Sequence, residues 1–346
     1  MTHGSHLIRF SYDQEIIMSL HAFPRLFLGL IAALSLSTAY PQSDSQAPPA
    51  QDVDVAMDTL VSTEWLSQHL DDPDLVILDC TVLVEQYDQG GTRTVSGKSS
   101  FDAKHIPGAG FADLLGDLSD PDSKIGFAVP TAEKFAQVMG ALGVGDDTRV
   151  VLYDASGTVW AARVWWMLRW VGFDRVALLD GGLKAWTAEG RPLSSEASVV
   201  TARTLTPAVR PEMIADRDEV FASISDDEVT LIDSMPPASY RGEMVMYPRP
   251  GHITGATNIP VFSAFDETGH YKSQDELEAI FGTDHDSRKI TYCGGGIAAS
   301  SNAFVLNRLG FKNVAVYTAS LQEWAADPAN PMETVAEVAD PTGTDK

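Results

Sequence analysis

The chain repeats itself, and that repetition limits the folds open to it more than any other feature. Five segments recur in the same order in its two halves. Leu75-Val-Ile-Leu-Asp79 matches Val229-Thr-Leu-Ile-Asp233, and Lys104-His-Ile-Pro-Gly-Ala109 matches Gly251-His-Ile-Thr-Gly-Ala256. Arg149-Val-Val-Leu-Tyr-Asp154 matches Arg288-Lys-Ile-Thr-Tyr-Cys293. Val171-Gly-Phe-Asp-Arg-Val176 matches Leu309-Gly-Phe-Lys-Asn-Val314, and Gly182-Leu-Lys-Ala-Trp186 matches Ser320-Leu-Gln-Glu-Trp324. A single match could be accidental; five in register mean two copies of one domain.

Each copy alternates short apolar runs with helical patterns. Leu75 to Asp79, Arg149 to Tyr153 and Val176 to Leu179 are nearly continuous apolar runs, the pattern of strands buried on both faces. Thr131 to Leu142 and Thr158 to Val171 carry helical spacing, started by Pro130-Thr131 and stopped by Gly143 and Gly172. The second copy predicts strands at Val229–Ile232, Lys289–Tyr292 and Val314–Val316, with helices at Gln274–Phe281, Ala298–Leu309 and from Ser320. The fold class is therefore α/β: two tandem domains, each a mostly parallel sheet with helices on both faces. Ligands of such sheets bind at the carboxyl ends of the strands.

The expected domains are residues 57–190 and 212–330, joined by a Pro-, Ser- and Thr-rich linker at 191–211 and followed by a tail at 331–346. The N-terminus reads as a targeting segment. His21-Ala-Phe-Pro-Arg25 precedes the apolar run Leu26 to Leu36, and Ser37-Thr-Ala39 supplies small residues for cleavage after Ala39. Asp13 and Glu15 do not suit the first region of a signal, so Met18 is an alternative start. Residues 1–39 are thus expected to be a signal peptide, and the Gln-, Ser-, Pro- and Ala-rich residues 40–56 a disordered lead-in. The mature protein is expected in the periplasm or secreted, with no membrane attachment after cleavage.

The formal net charge of −24 excludes non-specific binding to nucleic acid or anionic membranes. It also means that a site for an anion needs local positive potential. Two cysteines, Cys80 and Cys293, provide neither a disulfide framework nor a Cys-rich zinc site, and no metal or other cofactor is called for.

Cys293 ends a β-run and is followed by Gly294, Gly295 and Gly296, then by a helix starting near Ile297 and Ala298. Such a turn aims successive backbone N–H groups and a helix N-terminus at the sulfur, which favours the thiolate, the nucleophilic form. The other copy has Asp154 at this position and cannot perform sulfur chemistry. One copy is expected to be chemical and the other structural. The tryptophans of the first copy (Trp160, Trp165, Trp166, Trp170) are expected in core packing and domain docking. His105 and His252 are expected to be structural turn residues.

These motifs resemble the tandem rhodanese family, the thiosulfate and 3-mercaptopyruvate sulfurtransferases, from about Thr59 to Pro328. The resemblance is carried by His-Ile-Pro-Gly-Ala, Tyr-Asp-Ala-Ser with Ala162-Arg-Val-Trp-Trp166, Leu179-Asp-Gly-Gly-Leu-Lys-Ala-Trp186, Arg249-Pro-Gly-His-Ile253 and the cysteine loop. It implies that Cys293 forms a persulfide, taking sulfur from a small-molecule donor and passing it to cyanide or a thiol. Arg249 is the first candidate for an anion contact and Arg241 a weaker one. The amides of Gly294, Gly295, Gly296, Ile297 and Ala298 are expected to stabilise the sulfur anion. The loop departs from both family patterns. Gly294 and Gly295 stand where thiosulfate-type members have basic side chains. Gly295 and Ala298 stand where mercaptopyruvate-type members have a serine and a threonine. Thiosulfate is the expected donor of the two.

Two other functions compete for a cysteine in such a loop. Cysteine phosphatases and arsenate reductases use Cys-x5-Arg, but that arginine position holds Ala299, so a phosphoryl site lacks its charge stabiliser. A non-catalytic sulfur-binding or redox-sensing module would keep a reactive Cys293 without turnover.

Overall fold

The computed structural model describes residues 57–87 and 91–335. The signal and lead-in expected at 1–56, and the tail beyond 335, lie outside the described residues. In the first domain, β1 (Leu60–Val61), α1 (Thr63–Gln68) and β2 (Leu75–Asp79) lead into a hairpin, β3 (Val82–Gln86) with β4 (Thr92–Ser96). There follow α2 (Lys98–Ala103), β5 (Gly110–Phe111), α3 (Ala132–Ala141), β6 (Arg149–Tyr153), α4 (Val159–Trp170), β7 (Val176–Leu179) and α5 (Gly182–Ala188). The second domain runs β8 (Ile214–Ala215), α6 (Arg217–Ser223), β9 (Val229–Asp233), α7 (Pro237–Tyr240), β10 (His252–Ile253) and β11 (Thr257–Asn258). It continues with α8 (Gln274–Phe281), β12 (Arg288–Tyr292), α9 (Ile297–Arg308), β13 (Val314–Tyr317), α10 (Ser320–Trp324) and β14 (Met332–Glu333).

Both five-stranded sheets are parallel, with orders β1-β7-β6-β2-β5 and β8-β13-β12-β9-β11. Strand for strand, the second repeats the first, as the five matched segments require. Local chemistry fixes the elements. Thr131 caps α3 by accepting from Lys134 N, and Ser273 with Glu276 forms a reciprocal capping box on α8. The matched histidines occupy matched turns: each Nδ1 bonds a carbonyl at 2.7 Å, Phe101 O for His105 and Tyr240 O for His252.

Two boundaries sit differently from the sequence reading. Residues 191–211 lie along the first domain, with Ser194 bridging His105 and with Arg203, Ala208 and Arg210 donating to Gly140, Val171 and Trp170. Met332–Glu333 pairs with His252–Ile253, so the first residues of the expected tail complete a small antiparallel ribbon of the second domain.

The two domains meet through α4 and α9. Each of these helices leaves the carboxyl end of its central strand, β6 or β12, so their packing brings both following loops to one interface. α4 is apolar nearly all round, which is the pattern of a helix buried on every side. Trp165 packs edge-on against Phe304 of α9 with ring centroids 4.9 Å apart, the docking role expected of the tryptophan run.

Candidate active site

Cys293 follows the last residue of β12, and Gly294 to Gly296 carry the chain to α9. Both cysteines are free. Cys80 is 0 % exposed and Cys293 is 3 % exposed, so the two thiols differ little in depth but much in surroundings. Burial first, then the carboxylates of Asp79 and Asp154, push the Cys80 thiol far above its ordinary range.

Each glycine of the loop has its own physical reason. A Cβ on Gly294 would stand 1.7 Å from the Tyr247 hydroxyl oxygen. One on Gly295 would stand 2.2 Å from Gln322 Nε2. Gly296 has φ +83°, and a Cβ there would meet Thr318 O at 2.8 Å and Arg163 Nη1 at 3.0 Å. The side chains missing from the loop are replaced by ones reaching in from elsewhere. Gln322 also spans the domains, accepting from Gly126 N at 2.7 Å.

α10 holds the loop from behind. Leu321 N and Gln322 N donate to the carbonyls of Cys293 and Gly294, each at 3.1 Å. Ser320 Oγ accepts from Cys293 N at 3.1 Å. Ser320 takes φ +52°, where its counterpart in the first domain is Gly182 at φ +57°. A serine in this region costs on the order of 1 kcal/mol, and the bond to Cys293 N is what the hydroxyl contributes in return. Among the described residues, none of the N–H groups from Gly294 to Ala299 donates to a protein acceptor. The first domain displays the kind of group such a loop receives. There the Asp154 carboxylate accepts from Ser156 N at 2.6 Å, Thr158 N at 3.1 Å and Ala161 N at 2.8 Å. Asp154 is the positional match of Cys293, so one copy carries its own anion in the cradle.

The cation of the site comes from the first domain. Arg163, on α4, is 1 % exposed. Its Nη2 donates to Phe127 O at 3.0 Å, and its Nη1 donates to Ser300 Oγ at 3.3 Å and Gly296 O at 3.5 Å. It has no carboxylate partner among the described residues. Burial pulls it down to about 10, against the opposing attraction of Cys293, so the group remains a cation at neutral pH. A buried charge is ordinarily paired, and the group whose attraction acts on this guanidinium is Cys293. Phe127 takes φ +61° while it presents the carbonyl that Arg163 uses.

The arginines expected from the sequence are employed otherwise. Arg249 donates to the carbonyls of Ala325 (3.1 Å), Asn330 (2.8 Å), Trp324 (2.9 Å) and Asp327 (2.7 Å), which fixes the turn after α10. Arg241 lies at the surface in a two-pronged pair with Glu243. Ile297 is buried, together with Val159 and Val261, against Phe127 and Trp160, forming an apolar wall beside the loop. The residues the sequence reading missed are Arg163, Tyr247 and Gln322. Only Arg163 left a signal, as an arginine inside an otherwise apolar tryptophan-rich helix.

Burial also raises two carboxyls, Asp154 at the position that matches Cys293 and Asp233 at the position that matches Asp79. Asp154 and Asp233 are both pushed up to about 6, by loss of solvent against opposing hydrogen bonds. Their ordinary value is 3.8, so folding takes up protons between those limits. Stability conferred by a proton bound more tightly in the folded state is lost as pH rises through the folded value. The melting temperature is therefore expected to rise as the pH is lowered from neutrality to about 5, and Asp233→Asn should flatten that slope. A melting temperature that falls steadily over the same range would contradict it.

A doubled α/β fold with one cysteine-bearing loop whose amides lack protein acceptors among the described residues is an arrangement suited to covalent chemistry on sulfur. The rhodanese-like domain model matches residues 62–189 and again 216–327. The 3-mercaptopyruvate sulfurtransferase of Escherichia coli (strain K12) is 33% identical over 282 residues, covering 80% of this chain and 98% of that protein. The thiosulfate sulfurtransferase of Rattus norvegicus is 32% identical over 281 residues, covering 77% of this chain and 91% of its own. The crystal structure of SseA from Escherichia coli superposes with a TM-score of 0.67 at 32% identity, covering 76% of this chain and 99% of that one. The chain belongs to the tandem-domain rhodanese sulfurtransferase family.

Proposed function

We propose that Cys293 is the residue on which this sulfurtransferase carries sulfane sulfur. The donor is of the thiosulfate or 3-mercaptopyruvate type, and the acceptor is cyanide or a small thiol. The observation that carries the reading is the combination at one loop of amides without protein acceptors and a buried guanidinium without a carboxylate among the described residues. Both favour a negative charge on sulfur. In a chain of net charge −24 they supply the local positive potential that an anionic donor needs.

The chemistry follows from the thiolate. Cys293–S⁻ attacks the outer sulfur of thiosulfate, an S–S bond forms as the old one breaks, and sulfite leaves with the electron pair. With 3-mercaptopyruvate the C–S bond breaks instead, and the proton lost from the donor thiol is regained at the methylene carbon of pyruvate. Either donor leaves Cys293–S–S⁻. Cyanide then takes the outer sulfur as thiocyanate and restores the thiolate. The test is mass spectrometry of the protein after mixing with each donor. One added sulfur on the Cys293 peptide, removed by cyanide with turnover, supports the reading. A stable adduct without turnover supports a sulfur-binding or sensing module instead.

The apolar run Leu26 to Leu36, followed by Ser37-Thr-Ala39, supports export. N-terminal sequencing of the protein from its native host should begin at Tyr40. A mature protein that starts at Met1 or Met18 would count against it.

A further inference from the structure

The loop lacks the hydroxyl that mercaptopyruvate-type members carry at the position of Gly295, yet a hydroxyl reaches the loop at Gly294, the residue after the cysteine. It belongs to Tyr247. The segment 241–251 that holds it contains neither helix nor strand, and its Met244, Val245 and Met246 are exposed. Tyr247 alone of this run turns inward and packs on the core. The segment is pinned at both ends: Glu243 N and Met244 N donate to Ala238 O, and Arg249 is held by its four carbonyls. Its phenol crosses the loop backbone so closely that a Cβ on Gly294 would lie 1.7 Å from Oη and 2.8 Å from Cζ. Oη has no hydrogen-bond partner among the described residues. Burial, then the neighbouring Cys293 sulfur, push the phenol above its ordinary range, so at neutral pH it holds its proton and can donate.

We propose that Tyr247 is a catalytic residue whose hydroxyl donates to the group that leaves the transferred sulfur as Cys293 attacks it, in place of the missing loop hydroxyl. This rests on the reading that Cys293 carries the sulfur. The two donor types make different demands on such a hydroxyl. Attack on 3-mercaptopyruvate forms the S–S bond and breaks C–S, and the electron pair moves onto pyruvate as its enolate. The enolate must gain a proton. Tyr247 passes it one and recovers another from the persulfide S–H, so protons balance. Sulfite leaving from thiosulfate carries its electron pair away and needs none. Gly294 follows from the same arrangement, since any side chain there would displace the phenol.

The experiment compares the wild type with Tyr247→Phe, which keeps the ring and removes only the hydroxyl. Both donors are used, with cyanide as acceptor. With 3-mercaptopyruvate, kcat is expected to fall by about 10²-fold or more with KM little changed, the range for loss of a proton-transferring group. With thiosulfate the loss should stay below about threefold. A Tyr247→Phe enzyme equal to wild type on both donors overturns the proposal and leaves the ring as mere packing. So does an equal loss on both, or a wild type inert toward 3-mercaptopyruvate. The underlying reading is checked separately in the wild type by locating the added sulfur. Sulfur found on a residue other than Cys293 defeats that reading, whatever the variant does.

Discussion

Cys293→Ser is expected to abolish sulfur transfer, by at least about 10³-fold in kcat/KM, whereas Cys80→Ser leaves most of the activity. A serine hydroxyl in the same cradle is not ionised at neutral pH and cannot form a persulfide. Cys80 stands at the equivalent end of β2, wholly buried, with its Sγ directed at Leu78 O at 3.9 Å. Its neighbours are the carboxylates of Asp79 and Asp154, which oppose a second negative charge. A hydroxyl there costs stability on the order of 1–3 kcal/mol without touching the reacting atoms. Thiocyanate formation from either donor measures the first effect, and thermal unfolding the second. Equal losses of activity in the two variants would remove Cys293 from its assigned role.

The fold was legible because its information is local and repeated. Buried parallel strands write themselves as apolar runs, and the matched segments place them in the same order twice. The cysteine loop was legible for the same reason: strand, cysteine, glycines and helix are contiguous. What escaped was whatever arrives from a distance. Gln322 and Tyr247 lie about 30 and 46 residues from Cys293 along the chain, and nothing in their own neighbourhoods marks them as facing it. Their effect is visible in the loop only as an absence, the glycines at 294 and 295. In the sequence those glycines read as amide donors to the sulfur that lack the side chains of both family patterns, whereas in the structure they are also the space that Tyr247 and Gln322 fill. Arg249 misled for the opposite reason. The family resemblance of Arg249-Pro-Gly-His-Ile253 implied a contact with an anion, but a guanidinium is equally suited to gathering carbonyls at a helix end, and four of them claim it.

Arg163→Met is expected to separate stability from activity, and so to account for the retention of a domain that carries aspartate in place of cysteine. Among the side chains that the first domain sets against the Cys293 loop, Arg163 on α4 is the one that brings a positive charge, bonding Gly296 O and Ser300 Oγ. Removing it should lower kcat/KM with either donor by roughly 10²- to 10³-fold, about 3–4 kcal/mol of transition-state stabilisation, the range for losing one preorganised charge-stabilising group. Stability should move the other way or not at all. The guanidinium is buried without a carboxylate among the described residues, so its desolvation is only partly offset by bonds to Phe127, Gly296 and Ser300. Methionine has similar length and no charge, and replacing an uncompensated buried ion with an apolar side chain is commonly neutral or stabilising. Loss of the three polar contacts opposes this, so the net change in melting temperature should be small. Arg163→Lys is the sharper companion, because it keeps the charge but lacks the fork that bonds Phe127 O and Ser300 Oγ together. Its activity should fall between wild type and the methionine variant. If Arg163→Met unfolds at a markedly lower temperature while its remaining folded fraction turns over normally, the arginine is a structural strut between the domains, and the positive potential at Cys293 must come from the loop amides alone.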